Sequence, residues 1–120
     1  MPYTALVQTV AETAAYLRSA DAAGMTEAER KLAVDTVAAN PMAGDLIVGS
    51  GGCRKLRIAG RGFGKSGGYR IVTYFAGVEA PVFLLWALSK GRSANLTNAQ
   101  VNGLAKVTAT LAASLRRPAR

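Results

Sequence analysis

The first half of the chain opens with a strand pattern that is followed by a helical pattern. Residues 4–10 are rich in apolar and β-branched side chains and predict a strand. Thr9 and Glu12 have the spacing of a capping box, in which a hydroxyl and a carboxylate bind the free backbone N–H groups of a helix start. Good helix formers follow, and Gly24, within residues 21–25, predicts the end of this first helix.

A second helix is predicted directly afterwards. Thr26 and Glu29 repeat the capping-box spacing, and apolar side chains recur at helical spacing from Leu32 onwards. The pair Asn40-Pro41 ends this helix, because the residue before a proline disfavours the helical conformation. The two helices together predict an N-terminal αα-hairpin.

Three strand patterns follow a loop-rich stretch in the second half of the chain. In Cys53–Ile58 apolar and basic side chains alternate, which places Lys55 and Arg57 on one face of a strand. Tyr69–Phe75 is rich in aromatic and β-branched residues, and residues 81–88 are apolar almost throughout. The second half of the chain therefore supplies most of the predicted sheet.

The last predicted element is a helix that begins after Thr97. Thr97 and Gln100 have capping-box spacing, and Pro118 is expected to stop the helix near Arg117. The apolar stripe of this helix consists of Leu104, Val107, Leu111 and Leu115. The order of elements predicts one α+β domain over residues 1–120, with a mostly antiparallel four-stranded sheet between the αα-hairpin and the C-terminal helix.

The charge of the chain is distributed unevenly. Its 15 Lys and Arg residues and 7 Asp and Glu residues give a net charge of +8. Residues 1–52 hold three basic and six acidic residues, whereas residues 53–120 hold twelve basic residues and one acidic residue. A positive excess confined to the second part indicates an anionic partner for that part.

The absence of histidine narrows the chemistry that is possible. It excludes a histidine-ligated metal, a Ser-His-Asp triad and a histidine-dependent ribonuclease, and we expect no metal and no cofactor. The single cysteine, Cys53, cannot form an internal disulfide, and the N-terminus lacks a signal-peptide pattern. Both observations predict a cytoplasmic protein. The longest apolar run, residues 80–88, is too short to span a bilayer, so we also expect a protein that is not embedded in a membrane.

A glycine-rich loop between the first two of the three strands contains two partial nucleotide-binding motifs. Residues 62–67 (GFGKSG) match the spacing G-x-G-x-x-G, and residues 64–66 (GKS) match the end of a P-loop. Both motifs require a helix directly after the loop, but the strand Tyr69–Phe75 is predicted there. The P-loop also needs a glycine where Ala59 stands. We therefore interpret the segment as a hairpin loop.

The strongest functional pattern is a run of basic residues, residues 53–70, that contains no acidic residue. Like charges on neighbouring strands repel each other, and a polyanion that neutralises them is the simplest explanation for the run. The sequence therefore predicts contact with a nucleic acid. The basic residues of the run are Arg54, Lys55, Arg57, Arg61, Lys65 and Arg70, and Lys90 and Arg92 extend the set after the last strand.

Two aromatic residues of the predicted strands, Tyr74 and Trp86, can be interpreted as packed core residues. Tyr74 lies four positions after Arg70, on the same face of its strand, so its phenol either joins the basic site or packs in the core. Trp86 belongs to the most apolar strand, and we expect it in the core.

Two runs of this region resemble a known family. Residues 51–57 (GGCRKLR) and residues 62–72 (GFGKSGGYRIV) resemble the RelE/HigB toxins of bacterial type II toxin–antitoxin systems, and the GKSGGYR segment is similar to the HigB-like branch. The likeness continues in residues 40–45, 83–85, 89–90 and 95–97. It implies a RelE-like fold and an endoribonuclease that cleaves mRNA, commonly on the ribosome, and so inhibits translation and growth. It also implies a cognate antitoxin, expected to be a helix-turn-helix protein, that either covers the basic surface or displaces the last helix.

The resemblance also implies roles for individual residues. Without a metal, a base takes the 2′-hydroxyl proton, the oxygen attacks the phosphate in line, and cations stabilise the charged transition state. The matching positions give Lys55 as the base or charge stabiliser and Arg70 as the phosphate clamp. Arg57 and Lys90 are RNA contacts on the same grounds. The other predicted RNA contacts are Arg54, Arg61, Lys65 and Arg92.

Some positions depart from the family pattern. Cys53 and Gly91 stand where well-known ribosome-dependent members have a lysine and an arginine, and the last helix has no tyrosine. Tyr74 is the remaining phenol near the basic strands, which makes it the third candidate catalytic residue. Two other functions stay open, a ParE-like toxin that inhibits a DNA topoisomerase through protein contacts and an RNA-binding module without catalysis.

Overall fold

The computed structural model describes residues 8–59, 68–89 and 96–116. The strands in these residues are β1 (Val10–Glu12), β2 (Asp45–Leu46), β3 (Cys53–Ile58), β4 (Tyr69–Phe75) and β5 (Val82–Ser89). The helices are α1 (Ala14–Ala23), α2 (Glu27–Ala39) and α3 (Asn98–Arg116). None of the helices in this described part of the chain is long and apolar enough to cross a membrane.

The strands form one sheet in the order β1-β5-β4-β3-β2. Strands β2 to β5 pair antiparallel, whereas β1 lies parallel to β5. The predicted α+β fold with a mostly antiparallel sheet is confirmed. In the described residues the sheet has five strands rather than the predicted four, because Asp45 and Leu46 pair with Lys55 and Arg54 at the edge of β3.

The first helix begins later than predicted. Thr9 does not cap it, because the backbone of β1 pairs with β5 instead of starting a helix. The N-cap is Thr13, whose hydroxyl accepts the Tyr16 N–H (3.1 Å) and donates to the Leu84 carbonyl (2.8 Å). One side chain therefore starts α1 and ties it to β5. The predicted strand over residues 4–10 overlaps β1 only at its last residue, and its part before residue 8 lies outside the described residues.

The other helix signals within the described residues are confirmed, whereas the predicted stop at Pro118, near Arg117, lies outside the described residues. α1 ends at Gly24, which adopts a left-handed conformation with φ 84°. Before α2, the Thr26 hydroxyl accepts the Glu29 N–H (3.1 Å) and the Glu29 carboxylate accepts the Thr26 N–H (2.8 Å). Thr97 and Gln100 form the same reciprocal pair before α3, at 3.1 and 2.8 Å. These motifs are local, so their residues fold as the sequence predicts.

The helices lie on both faces of the sheet. α1 and α2 cover one face, which we call the hairpin face, and α3 packs on the other, the α3 face. The core of the hairpin face includes Tyr16, Ala20, Val37, Ile58, Ile71 and Leu84. The core of the α3 face is formed by Cys53, Val72, Tyr74 and Leu85, against which Leu96, Leu104 and Leu111 pack.

A β-bulge in β5 changes which face its later residues occupy. Thr73 pairs with Leu84, but Val72 pairs with Trp86, so Leu85 is an extra residue on β5. Strict alternation would place Trp86 beside Leu84 in the hairpin-face core. The bulge places it opposite Val72 on the α3 face, where it is 41 % exposed. The prediction that Trp86 is a core residue is therefore wrong.

Helix α1 supports the strand next to this bulge. The Ala87 N–H donates to the buried Ser19 hydroxyl oxygen (2.8 Å), and that hydroxyl donates to the Tyr16 carbonyl (3.0 Å). A side chain of α1 thus satisfies a buried backbone amide of β5, which would otherwise cost free energy.

Candidate nucleic-acid interface

Three basic side chains lie together on the α3 face. Leu56 and Ile58 pack in the hairpin-face core, so the alternation of β3 turns Lys55 and Arg57 to the opposite face, as predicted. Arg57 pairs directly with Arg70 of β4 in the antiparallel ladder. We call Lys55, Arg57 and Arg70 the cationic triad.

No ion pair neutralises the cationic triad within the described residues. Asp45 lies opposite Lys55 in the ladder between β2 and β3, but the two side chains do not form an ion pair. Like charges directly opposite each other destabilise a sheet. The triad is therefore an arrangement that an anion would stabilise. Ion pairs that join two described residues are Arg30–Glu12 at 3.9 Å and Lys31–Asp35 at 2.8 Å, both away from the triad.

Helix α3 covers the part of this face that lies away from the arginine pair. A hydrogen bond helps to fasten it there: the buried Thr108 hydroxyl donates to the Ser50 carbonyl (3.0 Å). Gly51, with φ 82°, leaves the space for this hydroxyl, because a Cβ at that position would collide with it. Arg57 is exposed and Arg70 is half-buried, so an anion can reach both.

The central strands end together beside the arginine pair. Ile58 pairs with Tyr69, and Tyr69 pairs with Ser89, one position beyond Arg57 and Arg70. The segments that follow β3 and β5, residues 60–67 and 90–95, lie outside the described residues. Those segments contain the predicted RNA contacts Arg61, Lys65, Lys90 and Arg92.

Arg54 lies apart from the cationic triad. It alternates onto the hairpin face of β3, and its guanidinium donates to the Gly44 carbonyl (2.9 Å). The structure therefore does not bring this predicted RNA contact together with Lys55 and Arg57. Its bond fastens the chain before β2 to β3.

Tyr74 shares a face with Arg70, as predicted, but its ring is packed. The side chain is only 7 % exposed, and the ring stacks on Phe83 with the centroids 6.5 Å apart and the planes at 24°. Tyr74 lies four positions after Arg70, which is about 13 Å along β4. Its placement favours the packing interpretation over a phenol in the site.

Two other ionisable side chains next to the triad have structural positions. Burial raises the pKa of the Cys53 thiol to about 11, so the thiol is neutral at physiological pH. Tyr69 lies on the hairpin face and its hydroxyl donates to the Glu29 carboxylate (3.1 Å). Burial, and then this contact with Glu29, raise the pKa of Tyr69. Neither group points to acid–base chemistry at the triad.

A groove and an aromatic side chain lie beside the triad, and the sequence pattern predicts neither of them there. Trp86 lies in the same row of the sheet as Lys55 and Val72. It borders a groove of about 460 Å³ between β5 and α3. No glycine or proline within β5 marks the bulge that exposes Trp86, so alternation alone could not have found it. The groove is lined mainly by Val72, Leu85, Trp86, Gln100, Leu104 and Val107.

A comparison of the chain with models of known protein families gives a match that includes this face of the sheet. The chain matches a family model described as "RelE toxin of RelE / RelB toxin-antitoxin system" over residues 8–117. The match therefore covers 110 of the 120 residues and includes every described element, from β1 to α3. The cationic triad and the strands that carry it lie inside the matched region.

Proposed function

The chain belongs to the RelE toxin family of toxin–antitoxin systems, and on that premise we propose that it is a metal-independent endoribonuclease that cleaves mRNA on the ribosome. RelE toxins pair with an antitoxin, and we propose a helix-turn-helix protein as its partner. The observation that carries the enzymatic proposal is the pairing of Arg57 with Arg70, next to Lys55, without an ion pair to the described carboxylates. The HigB-like branch within the family stays a prediction.

The arginine pair suits a phosphate group. Residues directly opposite in an antiparallel ladder have Cβ atoms about 5 Å apart, so both guanidinium groups can reach one phosphate. A guanidinium is a planar fork of donors that matches phosphate oxygens and stays charged at every relevant pH. A phosphate between Arg57 and Arg70 would also remove the repulsion between them.

Lys55 is placed to act on the same phosphate. It is a diagonal neighbour of Arg70, at about 7–8 Å between the backbones, which is within reach of two long side chains. In the proposed reaction Lys55, in its neutral amine form, accepts the proton of the 2′-hydroxyl, and the 2′-oxygen attacks the adjacent phosphorus. The bond from phosphorus to the 5′-oxygen then breaks, this oxygen takes a proton from water, and Lys55 releases the proton that it accepted to the solvent. The products are a 2′,3′-cyclic phosphate and a 5′-hydroxyl end, and the arginines stabilise the negative charge that develops in between.

The test compares RNA cleavage by purified variants in the presence of a metal chelator, with and without ribosomes. Arg70→Ala is expected to lower the single-turnover rate by about 100-fold or more, because it removes a donor to the developing charge. Lys55→Ala is expected to lower it by about 100-fold to 10,000-fold. Lys106→Ala removes an exposed positive charge of α3 outside the triad and serves as the matched control. Growth arrest on expression should follow the same ranking.

Tyr74→Phe belongs in the same series because it tests the third candidate catalytic residue. We expect this variant to cleave RNA at the wild-type rate, since the ring packs on Phe83 and phenylalanine keeps that contact. A loss of tenfold or more, without a loss of stability, would instead assign the phenol a role in the reaction.

Other outcomes would contradict the proposal in distinguishable ways. Inhibition of DNA supercoiling with intact mRNA would identify a ParE-like activity. RNA binding without cleavage, under all conditions and with ribosomes present, would identify a binding module. The proposal also implies a cytoplasmic protein, because mRNA and ribosomes are found there.

A further inference from the structure

We propose that Trp86 stacks on a nucleobase of the RNA whose phosphate lies between Arg57 and Arg70, and that the groove between β5 and α3 receives this base. The inference rests on the proposed function, since it assigns the base-binding part of the same substrate site. It adds a residue outside the cationic triad and a defined pocket.

The first support is the bulge that turns Trp86 outward. Without the extra residue Leu85, Trp86 would lie with Leu84 in the hairpin-face core. The bulge instead places a large aromatic side chain, 41 % exposed, on the face that carries the triad. Bulges often re-aim a side chain next to a functional site, and they are unfavourable unless something compensates for the broken ladder.

The second support is the distance between Trp86 and the arginine pair. Arg70 pairs with Leu88, and Trp86 lies two residues before Leu88 on β5. Trp86 is therefore a diagonal neighbour of Arg70 on the same face, with about 7–8 Å between the backbones. One nucleotide can place its phosphate at the guanidinium and its base against the indole.

The third support is the chemistry of the groove. Its volume, about 460 Å³, lies within the usual range of small-ligand pockets, and its walls are mostly apolar. Gln100 also lines it, and because its Oε1 atom accepts the Thr97 N–H, its NH₂ group is left to donate to a base edge. An aromatic ring, apolar walls and one amide donor fit a flat heterocycle.

The charges beside the groove decide between an RNA and an apolar peptide as the occupant. An apolar pocket alone would suit the side chains of a protein partner. This pocket, however, shares the α3 face with the cationic triad, and Trp86 and Lys55 lie in one row. A ligand that is apolar and flat at one end and anionic at the other matches both features, and single-stranded nucleic acids are bound by such pairs of aromatic and basic side chains.

The fluorescence of Trp86 offers a direct test, because it is the single tryptophan of the chain. The probes are short 2′-O-methyl oligonucleotides of each base, which cannot be cleaved because the 2′-oxygen is blocked, and an abasic oligonucleotide with the same number of phosphates. Stacking predicts that at least one base-containing probe quenches the indole emission and that the abasic probe does not. Binding itself is measured separately, through a dye on the oligonucleotide.

Three variants complete the experiment. Trp86→Ala is expected to weaken binding of the quenching oligonucleotide by about 5-fold to 100-fold and to leave binding of the abasic probe unchanged. Trp86→Phe should restore most of the affinity, because phenylalanine still offers a ring to stack on. Leu32→Ala removes an exposed apolar side chain from α2 and is the control for a general loss of surface contacts.

Each contrary result overturns a different statement. If the wild-type protein binds the oligonucleotides without quenching, and Trp86→Ala binds them equally well, the stacking is refuted and the cationic site stands. If neither the base-containing nor the abasic probes bind, the stacking and the proposed function both fail. If the emission of Trp86 responds to an antitoxin peptide but to no oligonucleotide, the groove belongs to a protein partner and the inference is wrong.

Discussion

At the scale of single residues, Arg57 and Arg70 show a conflict between stability and function. The two residues lie directly opposite each other in the ladder, on the same face of the sheet, and neither forms an ion pair with a described carboxylate. Such a pair lowers the stability of the free protein, and a bound phosphate reverses the effect. The residues that weaken the empty sheet are therefore those that the proposed reaction needs.

This conflict predicts opposite effects of one substitution. Arg57→Thr should raise the free energy of unfolding by up to about 1 kcal/mol, because it removes the repulsion and adds a residue that favours strands. The same variant should cleave RNA about 100-fold more slowly. Urea denaturation and single-turnover cleavage measure the two effects, with the exposed Arg18→Gln of α1 as a control that changes neither. A clear loss of stability in Arg57→Thr would show that the arginine contributes packing rather than repulsion.

The buried ionisable groups predict how stability depends on pH. Burial raises the pKa of Cys53 from its ordinary 9.0 to about 11 and that of Tyr16 from 10.0 to about 12. The unfolded chain therefore loses these protons first as the pH rises, so the stabilisation is complete below pH 9.0 and is lost above it. We expect the free energy of unfolding to fall by roughly 3 kcal/mol between pH 9 and pH 11, of which Cys53 contributes about two thirds. Urea denaturation across this range measures the fall, which Cys53→Ala should reduce, and a flat profile would contradict it.

At the scale of elements, helix α3 determines which part of its sheet face is open. It packs on Tyr74 and Leu85 through Leu104 and Leu111, and its hold includes the bond from Thr108 to the Ser50 carbonyl. The arginine pair lies beyond this contact, towards the ends of β3 and β5. Helix α3 thus forms one wall of the groove and leaves the triad uncovered, so that a ligand can reach it.

Removing the bond that fastens α3 should loosen the helix. Thr108→Val keeps the shape of the side chain but leaves the buried Ser50 carbonyl without this donor, and we expect a loss of about 1–2 kcal/mol in the free energy of unfolding. Thr110→Val is the matched control, because its hydroxyl is exposed and donates only within the helix, to the Lys106 carbonyl. The emission of Trp86 should shift in the first variant and stay constant in the second. Equal stabilities of the two variants would show that apolar packing alone holds α3.

The elements also show what a sequence can and cannot predict here. The capping pair of Thr26 and Glu29 and the alternation of β3 depend on residues close in the chain, and both are found as predicted. The predicted start of α1 at Thr9 is wrong because the backbone after Thr9 pairs with β5, about 70 residues away. The conformational propensities of residues 9–12 contain no information on that pairing. The prediction that Trp86 lies in the core is wrong for the same reason: the bulge arises from the register between β4 and β5, which alternation along β5 alone does not contain.

At the scale of the whole molecule, the charge asymmetry has a structural form. The acidic first part of the chain supplies α1 and α2 on the hairpin face, whereas the basic second part supplies β3 to β5 and α3. The cationic triad lies on the sheet face opposite the acidic helices. A polyanion, such as the RNA of the proposed function, would therefore be attracted to one side of the molecule and oriented before contact.

This asymmetry predicts the salt dependence of RNA binding. Each phosphate that a protein neutralises on a single strand contributes about −0.7 to the slope of log affinity against log salt concentration. The proposed site places one phosphate at the triad, so the triad contributes about −0.7 to the slope, and the triple variant Lys55→Ala/Arg57→Ala/Arg70→Ala should make the slope less steep by about that amount. Lys31→Ala should leave the slope unchanged, since Lys31 lies on α2 and pairs with Asp35 at 2.8 Å. Titrations of a 2′-O-methyl oligonucleotide at several salt concentrations measure these slopes. Triad variants that keep the full slope would show that the RNA is bound by other basic residues, and the site would have to be assigned elsewhere.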